Sequence, residues 1–194
     1  EMLMSAVLSK IDLEKEIMDE IRSWSEECLE QNSVEYNNLP VCPFAKKAWR
    51  EKKVGFSFNY NDSYKLLYDE IESFDGSLDL VILVDLSYEE DADFFHNNLE
   101  ILNERISTES FKNKDIFLMG FHPDDETNEL IDDEDFEANI EEAYSMVFIQ
   151  SLTKLYDASQ KLTRMGYYDR YTGNYNVNEI FKKRTELYGR LKNG

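Results

Sequence analysis

The stretch 78–86, Leu-Asp-Leu-Val-Ile-Leu-Val-Asp-Leu, constrains the fold of this chain more than any other part of it. Its centre, Leu80 to Val84, is apolar at every position, as in a strand covered on both faces. It is far too short to span a bilayer. Such a strand needs neighbours at its sides and a helical layer over each face. Residues 54–60 supply one neighbour, alternating Val54, Phe56, Phe58 and Tyr60 against Gly55, Ser57 and Asn59. Residues 116–121 supply another short apolar segment. Between these strands lie two helical patterns. The first starts at Asp62 or Ser63, runs to about Phe74 with Tyr64, Leu67, Tyr68 and Ile71 inward, and is closed by Gly76. The second covers 88–106, with Phe94, Phe95, Leu99, Leu102 and Ile106 on its apolar stripe. The β-α-β-α-β order predicts an α/β (or α+β) fold: a single small sheet of about three to four strands, mainly parallel or mixed, with flanking helices and extra C-terminal helices.

Residues 8–29 read as a further amphipathic helix, its stripe formed by Leu8, Ile11, Leu13, Ile17, Ile21, Trp24, Cys28 and Leu29. Residues 32–39 are polar without period and read as a loop. A short helix is expected over 43–51, opened by Pro43, whose missing N–H is not needed in a first turn. The spacing predicts one long helix over 143–165, stopped by Gly166, then a Tyr-rich ordered loop over 167–175 and a basic amphipathic helix over 180–191. The expected organisation is a single globular domain over 1–194, with an acidic loop at 124–135 and a C-terminal extension at 167–194.

The chain carries 41 acidic against 21 basic residues, a formal net charge of −20. Direct nucleic-acid binding is excluded on this ground, because phosphate-backbone binders concentrate positive charge. The acidity fits either a highly soluble surface or a face for a basic protein partner, imitation of nucleic-acid phosphates included. From Asp124 to Glu142 there are eleven acidic residues, and no Lys or Arg occurs between Lys114 and Lys154. No export signal is expected, since Glu1-Met2-Leu3-Met4 lacks a basic region followed by an apolar stretch. No membrane association and a cytoplasmic location follow as expectations. In that setting the two cysteines, Cys28 and Cys42, are expected unpaired.

Two residues draw attention as chemistry. Cys42 precedes Pro43 and a helix start, where backbone N–H groups favour a thiolate, with Lys46 and Lys47 one turn on. It reads either as a reactive thiol or as a buried cysteine fixing the loop-to-helix corner. His122 ends the third strand and Asp85 the second, and open α/β sheets place ligands at the carboxyl ends of their strands. His122 reads as a general base, as a metal ligand beside Asp124, Asp125 or Glu126, or as a ring hydrogen-bonded to nearby backbone. His96, in mid-helix, reads as structural or exposed. One histidine and scattered carboxylates do not specify a metal site, and no Gly-rich phosphate loop, nucleophile elbow, H-E-x-x-H or C-x-x-C pair occurs. No cofactor is specified.

Trp24, Cys42-Pro43-Phe44-Ala45-Lys46, the apolar strand Leu80 to Val84 and Phe121-His122-Pro123-Asp124 occur in this order. In that order the chain resembles the bacterial family domain of unknown function 1415, over roughly residues 17–162. It departs from the family pattern in Pro40-Val41 before the cysteine, where Asn-Leu is usual, and in Gly120, where Ser is usual. The resemblance carries no activity with it. It implies that Cys42 and His122 belong to one shared pattern.

Two functional expectations follow. The first is a small-molecule-binding domain or thiol-dependent enzyme: Cys42 as nucleophile, His122 as base, and Asp85 or Asp124 as the orienting carboxylate, with Cys42 and His122 flanking one pocket. The second is a non-catalytic acidic protein that binds a basic partner through the segment after His122.

Overall fold

A computed structural model describes residues 2–108, 111, 114–125, 144–170 and 177–193. Its centre is a four-stranded mixed sheet of β3 (Val54–Asn59), β4 (Leu80–Asp85), β5 (Phe117–Phe121) and β6 (Ser145–Gln150). The strand order is β3-β4-β6-β5. β4 runs parallel to β3 and antiparallel to β6, and β5 is antiparallel to β6, so β3, β4 and β5 all end at one edge. A separate two-stranded ladder joins β1 (Asn32–Ser33) to β2 (Leu39–Pro40), within the segment expected as a loop.

The apolar run in β4 behaves as its composition requires. Val81 and Leu83 face a layer made by α3 (Lys65–Ser73) and α4 (Ala92–Thr108), packing with Leu67, Ile71, Phe95, Leu99, Leu102 and Ile106. Ile82 and Val84 face the other way, toward Ile17, Ile21 and Trp24 of α1 (Met2–Trp24) and toward Trp49 of α2 (Ala45–Arg50). α5 (Leu152–Arg164) and α6 (Val177–Asn193) close a third cluster around Phe117, Leu152 and Leu187. α6 also reaches α4, where Lys183 pairs with Glu100 and Glu104 and Arg190 pairs with Glu104. Among the described residues no helix is long and apolar enough to cross a membrane.

The helix expected over 143–165 is a strand followed by a helix. Met146, Val147, Phe148 and Ile149 are buried on both sides in β6, between β4 and β5. A continuous run of apolar residues, two of them β-branched, suits a central strand as well as a buried helix turn, and only the sheet distinguishes them. Ser151 then caps α5 by accepting from the Lys154 N–H, which marks the switch. Gly166, at φ +70°, ends α5 as the stripe predicts. The Tyr167 N–H returns to the Leu162 carbonyl and the Gly166 N–H to Thr163, which is a Schellman turn.

Other stripe positions are exposed: Phe44, Phe94, Ile11, Leu13, Tyr64 and Tyr68 remain in solvent contact. α1 buries its C-terminal half, through Ile17 and Ile21, and then widens into a π-turn over Ser25–Leu29. The acidic loop expected at 124–135 lies outside the described residues beyond Asp125, as do residues 171–176 of the extension.

β5 is an edge strand, and α4 covers its edge. The Asn103 side chain accepts from the Leu118 N–H at 2.8 Å and donates to the Leu118 carbonyl at 3.0 Å, standing in for a further strand. Close seating of α4 on β5 requires Gly120. A Cβ there would lie 2.5 Å from Leu99 Cδ1 and from Phe95 Cε1, and 3.2 Å from His96 Nδ1. This seating fixes where His96 points.

Candidate functional site

At the carboxyl edge, the expected neighbours Asp85 and His122 end parallel strands, as do Asn59 and the turn after β5. Asp85 organises that edge. Its Oδ2 accepts from Asn59 Nδ2 at 3.0 Å, and its Oδ1 accepts from the Ser87 N–H at 3.0 Å and hydroxyl at 2.8 Å. A small, partly enclosed cavity of about 20 Å³ opens beside it, lined among others by Asn59, Tyr64, Asp85, Tyr88 and Asn98. That is room for about one water-sized group. The Tyr88 hydroxyl is buried there and faces Tyr64 without completing a hydrogen bond of good geometry. Burial pushes its phenol well above the ordinary range, so it serves as a donor throughout the physiological range.

Tyr88 and Phe95 also form the wall against which His122 rests, with ring centroids 5.8 and 5.5 Å away. His122 is 6 % exposed. Its Nε2 lies 2.9 Å from the Glu90 carbonyl, and its Nδ1 lies 3.1 Å from the Asp124 N–H. This partner pattern fits the Nε2–H tautomer, with the ring held by backbone at both nitrogens. Such a ring pins the turn after β5 to the start of α4. The Asp124 carboxylate is 79 % exposed, 3.9 Å from the ring, and contributes to this turn chiefly through its N–H.

Asp125, not Asp124, is the central carboxylate. Its Oδ2 accepts from the His122 N–H at 2.8 Å, and its Oδ1 lies 2.6 Å from His96 Nε2. Burial would raise its carboxyl, but the hydrogen bonds from His96 and from the His122 N–H outweigh it and hold the carboxyl below the ordinary range. His96, 42 % exposed at its side chain, is thus a carboxylate-backed imidazole open to solvent. That is the arrangement by which an Asp orients a histidine ring. His96 was expected to be structural or exposed; it is part-exposed, and its place in mid-helix gives no sign of Asp125.

Cys42 has a different set of neighbours. Its N–H donates to the Leu29 carbonyl at 2.8 Å, and its carbonyl accepts from the Ala45 N–H at 3.1 Å. The carbonyls of Pro40 and Val41, just before it, accept from the Tyr167 hydroxyl. Tyr167 is delivered there by the Schellman turn and stacks on Tyr36 at 5.0 Å. Cys42 also lies within electrostatic reach of Glu30, Tyr168 and Arg184. The N–H groups of Phe44 and Ala45 do turn toward the sulfur and lower its pKa, but burial is the larger effect and the thiol is pushed up. The expected activation of the thiol is therefore outweighed by desolvation.

The described contacts of the two expected partners differ. His122 sits with Tyr88 and Phe95 under α4, while Cys42 sits near α6, whose Arg184 spans Phe117 and Met119 on the other face of the sheet. Cys28 and Cys42 are both free thiols. Among the described residues no group of three or more His, Cys, Asp or Glu is placed to hold a metal. Compared with known proteins, the chain matches no family model, no curated protein and no solved structure.

Proposed function

We propose that the protein binds a small polar molecule at the carboxyl edge of its sheet, where His96 and Asp125 exchange a proton with it. The observation that carries this reading is the grip of one carboxylate on two histidine positions, the His96 ring at 2.6 Å and the His122 N–H at 2.8 Å. At the same edge of the sheet, Tyr88 and Phe95, which pack on His122, also line a water-sized notch that holds the Asp85 carboxylate and the unpaired Tyr88 hydroxyl. The notch admits one hydroxyl or amino group of a ligand, and the exposed His96 ring meets the rest. His122 positions the turn, and Asp85 positions the strand ends. The resemblance to domain of unknown function 1415 supports a role for the Phe121-His122-Pro123-Asp124 turn, which places Asp125. The test is an NMR screen of small polar metabolites against isotope-labelled protein. Ligands are expected to shift His96 and Tyr88 resonances and to bind more weakly to His96→Ala. Hits that shift neither residue would sink the reading.

A second reading rests on α1. Its outward face lines a shallow hollow of about 540 Å³ with Asp12, Glu16, Asp19, Glu20 and Glu27 against Lys15 alone. A basic protein partner suits that face. Salt-sensitive capture that survives neutralisation of Asp12, Glu16 and Asp19 together would reject it.

A further inference from the structure

We propose that Arg184, Tyr168, Ser159 and Cys42 form a second site, on the far face of the sheet, that binds a small oxyanion such as the carboxylate or phosphate group of a ligand. The proposal does not rest on the carboxyl-edge reading. It starts from an uncompensated charge. Arg184 is half-buried, yet among the described residues no carboxylate lies within ion-pairing distance of it. Its Nη1 donates to Ser159 Oγ at 3.2 Å, its Nη2 meets only the Met119 sulfur at 3.5 Å, and its enclosed Nε has no partner. The guanidinium also lies over the Phe117 ring, 5.3 Å from its centroid. A guanidinium shut away from water is ordinarily paired, because its desolvation is otherwise uncompensated.

Acid partners were not scarce, since the chain carries 41 acidic residues. The neighbouring cations of α6 use them: Lys183 takes Glu100 and Glu104, and Arg190 takes Glu104. The groups nearest Arg184 that might have supplied a charge do not. Burial pushes both the Cys42 thiol and the Tyr168 hydroxyl up, so both stay neutral near pH 7.

The unpartnered Nε and the weakly bonded Nη2 lie together. Nε and Nη2 form one edge of the planar guanidinium, the edge that receives a carboxylate or phosphate through two parallel hydrogen bonds. A thioether is a weak acceptor on a flexible, unbranched side chain, so Met119 can swing from Nη2 and leave that edge to an oxyanion. Tyr168 and Cys42, both neutral donors, lie within electrostatic reach of the guanidinium, and the Phe117 ring lies against it.

The experiment uses the full chain, with inorganic phosphate and acetate as separate probes and chloride at equal ionic strength as the control. Thermal melts and calorimetry measure binding, and peptide mass spectrometry follows alkylation of Cys42. Phosphate, acetate or both are expected to raise the melting temperature above the chloride control and to slow alkylation at Cys42. The arm that responds identifies the oxyanion. Arg184→Lys keeps the charge but loses the two-pronged edge, and is expected to weaken binding about tenfold or more. Arg184→Gln should abolish it; if that variant does not fold, Arg184→Lys and Tyr168→Phe carry the test. A wild-type response no greater than that to chloride overturns the proposal, as does an equal response in Arg184→Lys.

Discussion

At the carboxyl edge, the half-buried charge of Asp125 is met by donors, the His96 ring on one oxygen and the His122 N–H on the other. On the opposite face, the half-buried charge of Arg184 is met by a hydroxyl, a sulfur and an aromatic ring. The first cluster is internally balanced and needs nothing further to hold its geometry. In the second, desolvation is left uncompensated among the described residues. The contrast teaches that the two candidate groups have different charged neighbours: His96 is paired with a carboxylate, whereas Cys42 lies within electrostatic reach of a guanidinium.

The contrast breaks most easily through α4, which carries His96 to Asp125. Asn103→Leu leaves the Leu118 N–H and carbonyl without partners at a buried edge and is expected to destabilise by about 2–4 kcal/mol. Urea unfolding measures this, and a loss well under about 1 kcal/mol would mean that the edge is satisfied otherwise.

Gly120→Ala is next. Its Cβ would meet Leu99 and Phe95 at 2.5 Å, so α4 must lift from β5 at about 1–3 kcal/mol. The same variant should displace His96 from Asp125, visible as shifted His96 ring resonances by NMR. Unchanged ring resonances would uncouple helix seating from the site.

Asp125→Asn has a smaller effect with a defined pH window. The depressed carboxyl of Asp125 contributes stability that is fully present above its unfolded value, about pH 4, and is lost as pH falls through the folded value. The advantage of wild type over Asp125→Asn should therefore be largest near neutrality and shrink below about pH 4. Since the pair is partly open to water, it should amount to no more than about 1 kcal/mol. A difference that persists undiminished in acid would place the stabilisation elsewhere.

The smallest effect concerns Cys42. Its raised pKa predicts slow alkylation at neutral pH, rising only in alkaline solution, with Arg184→Lys close to wild type because the charge is kept. Fast labelling near pH 7 would restore the activated thiol.

Much of the sheet was legible because strand period and burial follow directly from side-chain pattern. The run Leu80 to Val84 required cover on both faces, and the ends of β4 and β5 placed Asp85 and His122 at one edge. β6 escaped because Met146 to Ile149 is apolar throughout, so it lacks the alternation that separates a strand from a helix, and Ser151 marks the break only once the strand is recognised. Nor did pattern reveal which neighbours a side chain meets across the chain. The pairing of His96 with Asp125 depends on the seating of α4 over Gly120, and the environment of Cys42 depends on Gly166 turning Tyr167 back toward the loop and on α6 bringing Arg184. Local composition sets the balance of polar and apolar surface, and hence the layers and the strand edge. Only the packing of distant elements decides whether a thiol meets a base or a burial cost, and whether a buried charge finds its partner.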